Sequence, residues 1–271
     1  MQHASWEAAS VVWRQVWFPE SRVVFVRFIP PRSGTMPRST ALHQTIRDIG
    51  RGLVDLLYPP CCLGCAGRPE TPALPLCPGC LRRMEPAPQM NVAARIDRLP
   101  VPRGIVSGAH SMWVFDKGGP LQSIQHAIKY GDRPRYGVSL GQLLGDSYTR
   151  AGWPSPDGIV PVPLHRLREL ERGYNQADML ARGVAETCDG TLHSDLLVRV
   201  QATRSQTRLS RVEQWRNVAD AFSCTTTVGS GTWLVIDDVL TTGSTALACA
   251  RALRDAGAEA VLVATLSLAR T

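Results

Sequence analysis

The sequence predicts an α/β fold, a parallel sheet flanked by helices, preceded by a small cysteine-rich knuckle. Three observations carry this expectation. From Ile105 to Leu268 short apolar runs alternate with stretches of helical periodicity, the order of strands and helices in a parallel sheet. One such run, Trp233 to Ile236, leads into two aspartates, a turn of small residues and a helix. Five of the eight cysteines fall between Cys61 and Cys80.

Length and composition bound the answer. The 271 residues, 44% of them hydrophobic, suit one mid-sized domain plus a small one. No run reaches the roughly 18 to 20 apolar residues that span a bilayer. The formal net charge is +7, yet only Lys117 and Lys129 are lysines, and every other basic side chain is arginine. Arginine forks grip phosphates bidentately. The codon bias of a GC-rich genome accounts for the same count, so the count decides nothing. The basic balance permits a nucleic-acid partner without requiring one. Clustered cysteines without a secretory signal point to metal rather than disulfides. A cytoplasmic protein, with peripheral contact to the inner face of the membrane left open, is the expected setting.

Residues 1–35 read unlike the rest. They hold Trp6, Trp13 and Trp17 without a sustained helical or strand period. The apolar stretch Val23 to Ile29 is followed by Pro30, Pro31 and Arg32 rather than a small-residue cleavage site. This segment is expected to be a non-native or disordered extension, with Met36 as the natural start. An interfacial tail is the alternative. Over 36–57, Leu42, Ile46, Ile49, Leu53, Leu56 and Leu57 recur at helical spacing, which predicts an amphipathic helix. The cysteine cluster fills 58–84. Pro86, Pro88, Pro100 and Pro102 then mark 85–104 as a proline-rich linker.

The main domain is expected over 105–271. Ile105 to Phe115 reads as a strand or hairpin. Leu121, Ile124 and Ile128 give one helix face, and a second helix runs from about Tyr136 to Ala151. Gly158 to Val162 is a short strand, Ala177 to Ala185 a helix, and Leu196 to Val200 a weak strand. Trp233 to Ile236 is a buried strand, Ser244 to Ala256 a helix closed by Gly257, and Ala260 to Leu268 the final strand.

Cys62-Leu-Gly-Cys65 and Cys77-Pro-Gly-Cys80 are two CxxC turns with eleven residues between them. Each has glycine in its third position, which lets two thiolates aim at one ion. Two such turns form a zinc ribbon with Cys62, Cys65, Cys77 and Cys80 as tetrahedral ligands. Cys61 has the wrong spacing. With no open coordination position evident, the zinc is expected to be structural.

The segment Trp233-Leu-Val-Ile-Asp-Asp-Val-Leu-Thr-Thr-Gly-Ser-Thr245 carries the chemistry. Asp237 and Asp238 follow a buried strand, where ligands bind in open α/β sheets. Their carboxylates suit ribose hydroxyls, which donate hydrogen bonds. Thr241, Thr242, Gly243, Ser244 and Thr245 let backbone N–H groups close on a phosphate at a helix N-terminus. No GxxxxGK[ST] and no early GxGxxG occurs, which excludes a Walker loop and disfavours a dinucleotide fold.

This segment resembles the 5-phosphoribosyl-1-diphosphate (PRPP) loop of type I phosphoribosyltransferases. The wider chain, about residues 50 to 270, resembles the ComF family of competence-associated phosphoribosyltransferase-like proteins. The likeness rests also on Ile128-Lys-Tyr-Gly-Asp132, Ile159-Val-Pro-Val-Pro-Leu-His165, Glu171-Arg-Gly-Tyr-Asn-Gln176, and Ser205-Gln-Thr-Arg-Leu-Ser-Arg211 leading to Arg216. The resemblance implies a type I phosphoribosyltransferase fold behind a zinc ribbon, and PRPP binding by Asp237 to Thr245, including Val239 and Leu240. It implies a pyrophosphate loop at Pro163, Leu164, His165 and Arg166. It implies a mobile loop with Gln206, Arg208 and Arg211, and catalytic roles for Asp237, Asp238 and Arg172. Mg²⁺ would accompany PRPP. The Lys129 segment is one residue shorter than the family's lysine–aromatic–x–Gly–Asp arrangement, so Lys129 is less securely placed.

Two classes of function follow from the resemblance. One is an enzyme that displaces pyrophosphate from PRPP in favour of an unidentified acceptor, linked to DNA uptake or use of incoming DNA. The other is a non-catalytic PRPP or nucleotide sensor, or a single-stranded-DNA-binding accessory of the translocation machinery. For that second class Arg68, Arg82 and Arg83 beside the ribbon are the basic flank.

Overall fold

A computed structural model describes residues 12–17, 23–28, 61–71, 73–99, 104–130, 134–200, 213, 215 and 218–270. They divide into two compact units, Met1–Glu70 with Leu76–Arg83, and Thr71–Pro75 with Met84–Thr271.

In the first unit, β1 (Val12–Trp17) pairs antiparallel with β2 (Val23–Phe28), Val12 opposite Phe28 and Trp17 opposite Val23. The sequence reading assigned no strands to this segment. Both stretches are rich in valine and aromatic residues, which fit a pleated surface even where no clean period stands out. The helix expected over 36–57 lies outside the described residues. The cysteine knuckle carries one short helix, α1 (Pro78–Leu81), started by Pro78 at its first position.

The second unit is built on a five-stranded sheet. Its strands are β3 (Gly108–Phe115), β4 (Gly158–Pro161), β5 (Thr191–Leu192), β8 (Thr232–Leu240) and β9 (Ala260–Ala269), in the order β3-β9-β8-β4-β5. Every neighbouring pair is parallel, as the alternating pattern predicts. The central strands read as continuous apolar runs because helices cover both faces. Ile159, Val160, Leu234, Val235, Ile236, Val261 and Val263 are all buried, each stabilising the fold by about 1.5–3 kcal/mol. A separate ribbon pairs β6 (Leu197–Arg199) antiparallel with β7 (Phe222–Cys224). The short β5 and β7 are additions to the sequence reading.

The helices of this unit are α2 (Gln89–Asp97), α3 (Pro120–Tyr130), α4 (Pro134–Arg150), α5 (Arg166–Arg172), α6 (Gln176–Ala185) and α7 (Ser244–Asp255). Helices α4 and α6 pack backbone to backbone. A Cβ at Gly141 would lie 2.1 Å from the Leu180 carbonyl oxygen, and one at Gly183 2.0 Å from that of Val138. Gly137, Gly141 and Gly145 recur every four residues, so one glycine face of α4 meets α6.

Helix α2 corrects the proline-rich linker expected over 85–104. Val92, Ile96 and Leu99 are buried in the main core, and Pro86 bridges to Trp113 of β3. Proline fixes φ and is tolerated before a helix. Pro86 and Pro88 therefore mark the entry into α2, not a boundary.

One feature of the sheet positions the site. Strand β8 pairs with β4 only as far as Ile236 opposite Pro161, then continues through Leu240. Val162 N–H donates once more to the Ile236 carbonyl at 2.9 Å. Past that point Asp237 to Leu240 are paired only with β9 among the described strands. The sequence reading ended the strand at Ile236. It runs on because Asp237, Val239 and Leu240 keep their register with Thr265, Ser267 and Leu268.

Candidate functional site

Asp237 and Asp238 stand at this opening, on successive residues of β8 and therefore on opposite faces. Asp238 is buried, and its Oδ2 lies 2.5 Å from Lys129 Nζ at the end of α3. Asp237 Oδ1 accepts from the Asp238 N–H at 2.8 Å. Burial first, and then the negative charge of Asp238, push the Asp237 carboxyl well above the usual carboxylate range. The two carboxylates thus have different neighbours, Lys129 at Asp238 and the Asp238 main chain at Asp237.

Beyond Leu240 the chain turns through Thr241 and Thr242 to Gly243. Gly243 has φ 85 and ψ −5 and is the N-cap of α7. That left-handed conformation favours glycine, and a Cβ there would press on Ile96 Cγ1 at 3.1 Å. No side chain caps α7, and its first turn holds no acidic residue. Its leading N–H groups are therefore suited to an anion, with the positive end of the helix dipole behind them. Thr242 Oγ1 and Ser244 Oγ lie 3.1 Å apart on the same rim. Val239 and Leu240 belong to the strand, and Leu240 is packed in the core. They lead the strand into the turn.

Arg95 of α2 braces this turn from behind. It is buried and donates from Nη1 to the Thr241 carbonyl and from Nη2 to the Ala269 carbonyl, both at 2.9 Å. The sequence reading missed Arg95 because α2 was taken as linker. Its signal was one arginine inside the helical spacing of Val92, Ile96 and Leu99.

The segment Arg172 to Gln176 fastens the opposite side. Asn175 caps α6, accepting from Ala177 N–H at 3.0 Å, and donates from Nδ2 to the Val162 carbonyl at 3.0 Å. Tyr174 Oη donates to the Ile128 carbonyl at 2.6 Å. Arg172 donates to Gln176 Oε1 at 2.8 Å and lies 5.5 Å from the Tyr130 ring centroid. Together these contacts tie the end of β4 to the end of α3, where Lys129 reaches Asp238. Among the pyrophosphate-loop candidates, Pro163 and Leu164 are half-buried and Arg166 is exposed. His165 is the N-cap of α5, its Nδ1 accepting from Leu167 N–H at 3.4 Å. Arg168 pairs with Glu171 on the surface at 3.5 Å, where such a pair contributes little.

A further cation was not singled out from sequence. Arg199 ends β6 and lies 5.5 Å from the Phe222 ring centroid. Burial lowers its pKa, while Cys249 and Asp237 act in the other direction. The mobile-loop candidates Gln206, Arg208 and Arg211, with Asp132 and Arg216, lie outside the described residues.

In the first unit, the sulfurs of Cys62, Cys65, Cys77 and Cys80 all lie within 4.8 Å of one another, and Cys65 Sγ is 3.7 Å from Cys77 Sγ. Zinc at about 2.3 Å from four tetrahedral sulfurs separates them by about 3.8 Å, so the donor set and its spacing fit that ion. Cys61 is not part of the group. Burial works against ionisation of Cys62, but the N–H groups of Cys77, Gly64 and Cys65 bring its thiol down to about 6. Burial and the neighbouring sulfurs push Cys80 up to about 12. A Cβ at Gly64 would sit 2.8 Å from Cys80 Sγ, the physical reason for glycine in that turn. Arg83 donates to Cys80 Sγ at 3.4 Å and to the Gly79 carbonyl at 3.2 Å. It is thereby part of the knuckle and not only of its basic flank. Among the described residues no helix is long and apolar enough to cross a membrane.

Fold and site together define an α/β protein with a parallel sheet, an acid pair and phosphate-type turn at the sheet's open end, and a four-cysteine knuckle ahead of it. The chain is 36% identical over 154 residues to DNA utilization protein YhgH of Salmonella typhi, covering 55% of this chain and 68% of that protein. It is 35% identical over 111 residues to Competence protein F of Haemophilus influenzae, covering 40% and 48%. Against Competence protein ComFC of Bacillus subtilis it is 32% identical over 113 residues, covering 42% and 44%. The chain belongs to the ComF family. No family model matches it. Among solved structures, that of the allosteric regulatory enzyme of purine biosynthesis overlaps with a TM-score of 0.34 and 19% identity, covering 52% of this chain and 29% of that one. An overlap that loose does not bear on the fold.

Proposed function

We propose that this chain is a PRPP-binding, phosphoribosyltransferase-like protein that serves DNA uptake or the use of incoming DNA. The observation that carries the reading is the open end of β8. There Asp237 and Asp238 are followed directly by the Gly243 turn and the uncapped start of α7. An acceptor for ribose hydroxyls thus stands next to a cradle for its 5′-phosphate. Mg²⁺ entering with the ligand would be held beside Asp237 and Asp238 and would supply charge neutralisation, and Arg172 would face the departing pyrophosphate. Catalysis would come from positioning and from stabilising the leaving group. The link to DNA is suggested by the names of the relatives in Salmonella typhi and Haemophilus influenzae.

Titration calorimetry with PRPP and Mg²⁺ tests the reading. Wild type is expected to bind. Asp238→Ala is expected to bind about 10- to 100-fold more weakly, from the loss of about 1.5–3 kcal/mol for a hydrogen bond to a charged group. A folded wild type that ignores PRPP and ribose 5-phosphate at millimolar concentration would refute it. If Asp238→Ala loses stability but not affinity, the acid pair only closes the sheet edge.

A single-stranded-DNA-binding role for the knuckle is the second reading. It rests on Arg68 and Arg82, both exposed, since Arg83 is engaged within the knuckle. Binding that falls steeply with salt, as released counterions require, would support it, and no binding at low ionic strength would remove it.

A further inference from the structure

The contact between Lys129 and Asp238 is more than a surface ion pair. The two side chains are 23% and 9% exposed, with Nζ and Oδ2 2.5 Å apart. A half-buried pair of this kind gains little net stability over an apolar substitute, because both charges lose hydration. Its presence therefore asks for another reason.

The helix that carries Lys129 is tied to Asp238 a second time. Gln125, one helical turn before Lys129, donates from Nε2 to Ser267 Oγ at 3.3 Å, and Ser267 Oγ donates to the Asp238 carbonyl at 3.3 Å. Side chains four residues apart share a helix face, so α3 holds both the main chain and the side chain of Asp238. On its other flank the same helix end is gripped by Tyr174 at the Ile128 carbonyl, and Arg172 lies against Tyr130. Lys129 thus stands between the acid pair and the segment next to the β4 loop.

A carboxylate held by an ammonium is a poor acceptor for a ribose hydroxyl until the ammonium is given another anion. A neutral riboside has none to give. A ribose 5-phosphate places its one phosphate at the α7 N-terminus, on the other side of the acid pair. Only a ligand with a second anionic group, on C1 of the ribose and toward the β4 loop, offers Lys129 a replacement partner.

We propose that Lys129 is a specificity-determining residue that holds Asp238 in the empty site and exchanges it for the C1 anionic group of the ligand. It thereby selects 1-diphosphorylated ribose phosphates over ribose 5-phosphate and uncharged ribosides. This rests on the ribose-phosphate reading of the same site, and refines it by naming what admits the ligand.

The composition of the chain provides a direct probe. Lys117 and Lys129 are its only lysines, so the full chain labelled with ¹³Cε-lysine gives two side-chain signals, assigned with Lys117→Arg. The Lys129 signal is expected to move on saturation with PRPP and Mg²⁺ and to move much less with ribose 5-phosphate and Mg²⁺. Calorimetry supplies the second readout. Lys129→Met is expected to reduce the preference for PRPP over ribose 5-phosphate by about tenfold, the usual scale for one charge-assisted contact, and Lys129→Arg to restore most of it. A Lys129 signal unmoved by saturating PRPP overturns the proposal, as does an unchanged ligand preference in folded Lys129→Met. In both cases PRPP binding itself stands. Failure of wild type to bind PRPP at all overturns the underlying reading, and the proposal with it. The wild-type spectrum decides the matter even if Lys129→Met does not fold.

Discussion

Arg95 spans the carbonyls of Thr241 and Ala269, 2.9 Å from each, and so joins the turn before α7 to the end of the last strand from behind. The two carbonyls lie just past the last paired residues of β8 and β9, Leu240 opposite Leu268. A fork with fixed geometry is the side chain suited to hold both.

Arg95→Ala is therefore expected to cost about 2–4 kcal/mol of stability, since two acceptors lose a charged donor in a buried setting. PRPP affinity is expected to fall about tenfold in the folded variant, because the turn it binds is no longer held. Arg95→Lys, with one point charge, should lie between. Urea midpoints and calorimetry measure the two effects. Unchanged affinity in folded Arg95→Ala would mean that the clamp serves the fold alone.

Gly243→Val tests the turn itself. A side chain at φ 85 is strained, and its Cβ would meet Ile96 Cγ1 at 3.1 Å. Left-handed backbone costs a residue with a Cβ roughly 1–2 kcal/mol. Binding should suffer along with stability, since a turn pushed off Ile96 no longer holds its N–H groups in place. A variant destabilised by that amount but binding PRPP normally would place the phosphate elsewhere.

The cysteine knuckle should carry about one zinc per chain. Cys62→Ser or Cys80→Ser is expected to abolish it, and Cys61→Ser to leave it in place. Elemental analysis of untagged protein prepared without chelator decides this. A zinc-free wild type, or zinc lost with Cys61, would contradict the ligand assignment.

His110 predicts a pH dependence of stability. It is buried in β3, with Nε2 3.0 Å from Ser147 Oγ and its ring edge-on to Tyr148. Burial lowers its pKa from 6.5 to about 4. Across that window the unfolded chain binds a proton that the folded chain refuses. Stability from this group is therefore unaffected above about pH 6.5 and falls as pH drops toward 4, by at most about 3 kcal/mol. Below that the loss levels off, because the folded state takes up the proton too. His110→Gln should flatten this part of the profile relative to wild type, as read by urea unfolding between pH 7.5 and 4.5. Parallel profiles for the two proteins would show that His110 is not the source.

Much of the molecule was legible in the sequence because it depends on neighbours along the chain. Apolar runs such as Trp233 to Ile236 and Ala260 to Leu268 read as buried parallel strands, and they are. The CxxC turns announced a four-sulfur group, since each turn places two sulfurs locally. The aspartate pair and Gly243 declared a strand, a turn and a helix start in one contiguous stretch. The reading failed where composition stood in for packing. Prolines at 86 and 88 suggested a linker, whereas Val92, Ile96 and Leu99 bury α2 in the core.

Tertiary structure alone decided which side chains meet. Lys129 and Asp238 come together because one face of α3, with Gln125 at Ser267, lies beside the end of β8, and Arg95 reaches Thr241 across a sequence separation of 146. Periodicity tells which face of a helix is buried, but not which strand end that face will cover. That choice depends on sheet order and on the packing of α2 and α3. The placing of Lys129 at Asp238 followed from this packing and from no motif.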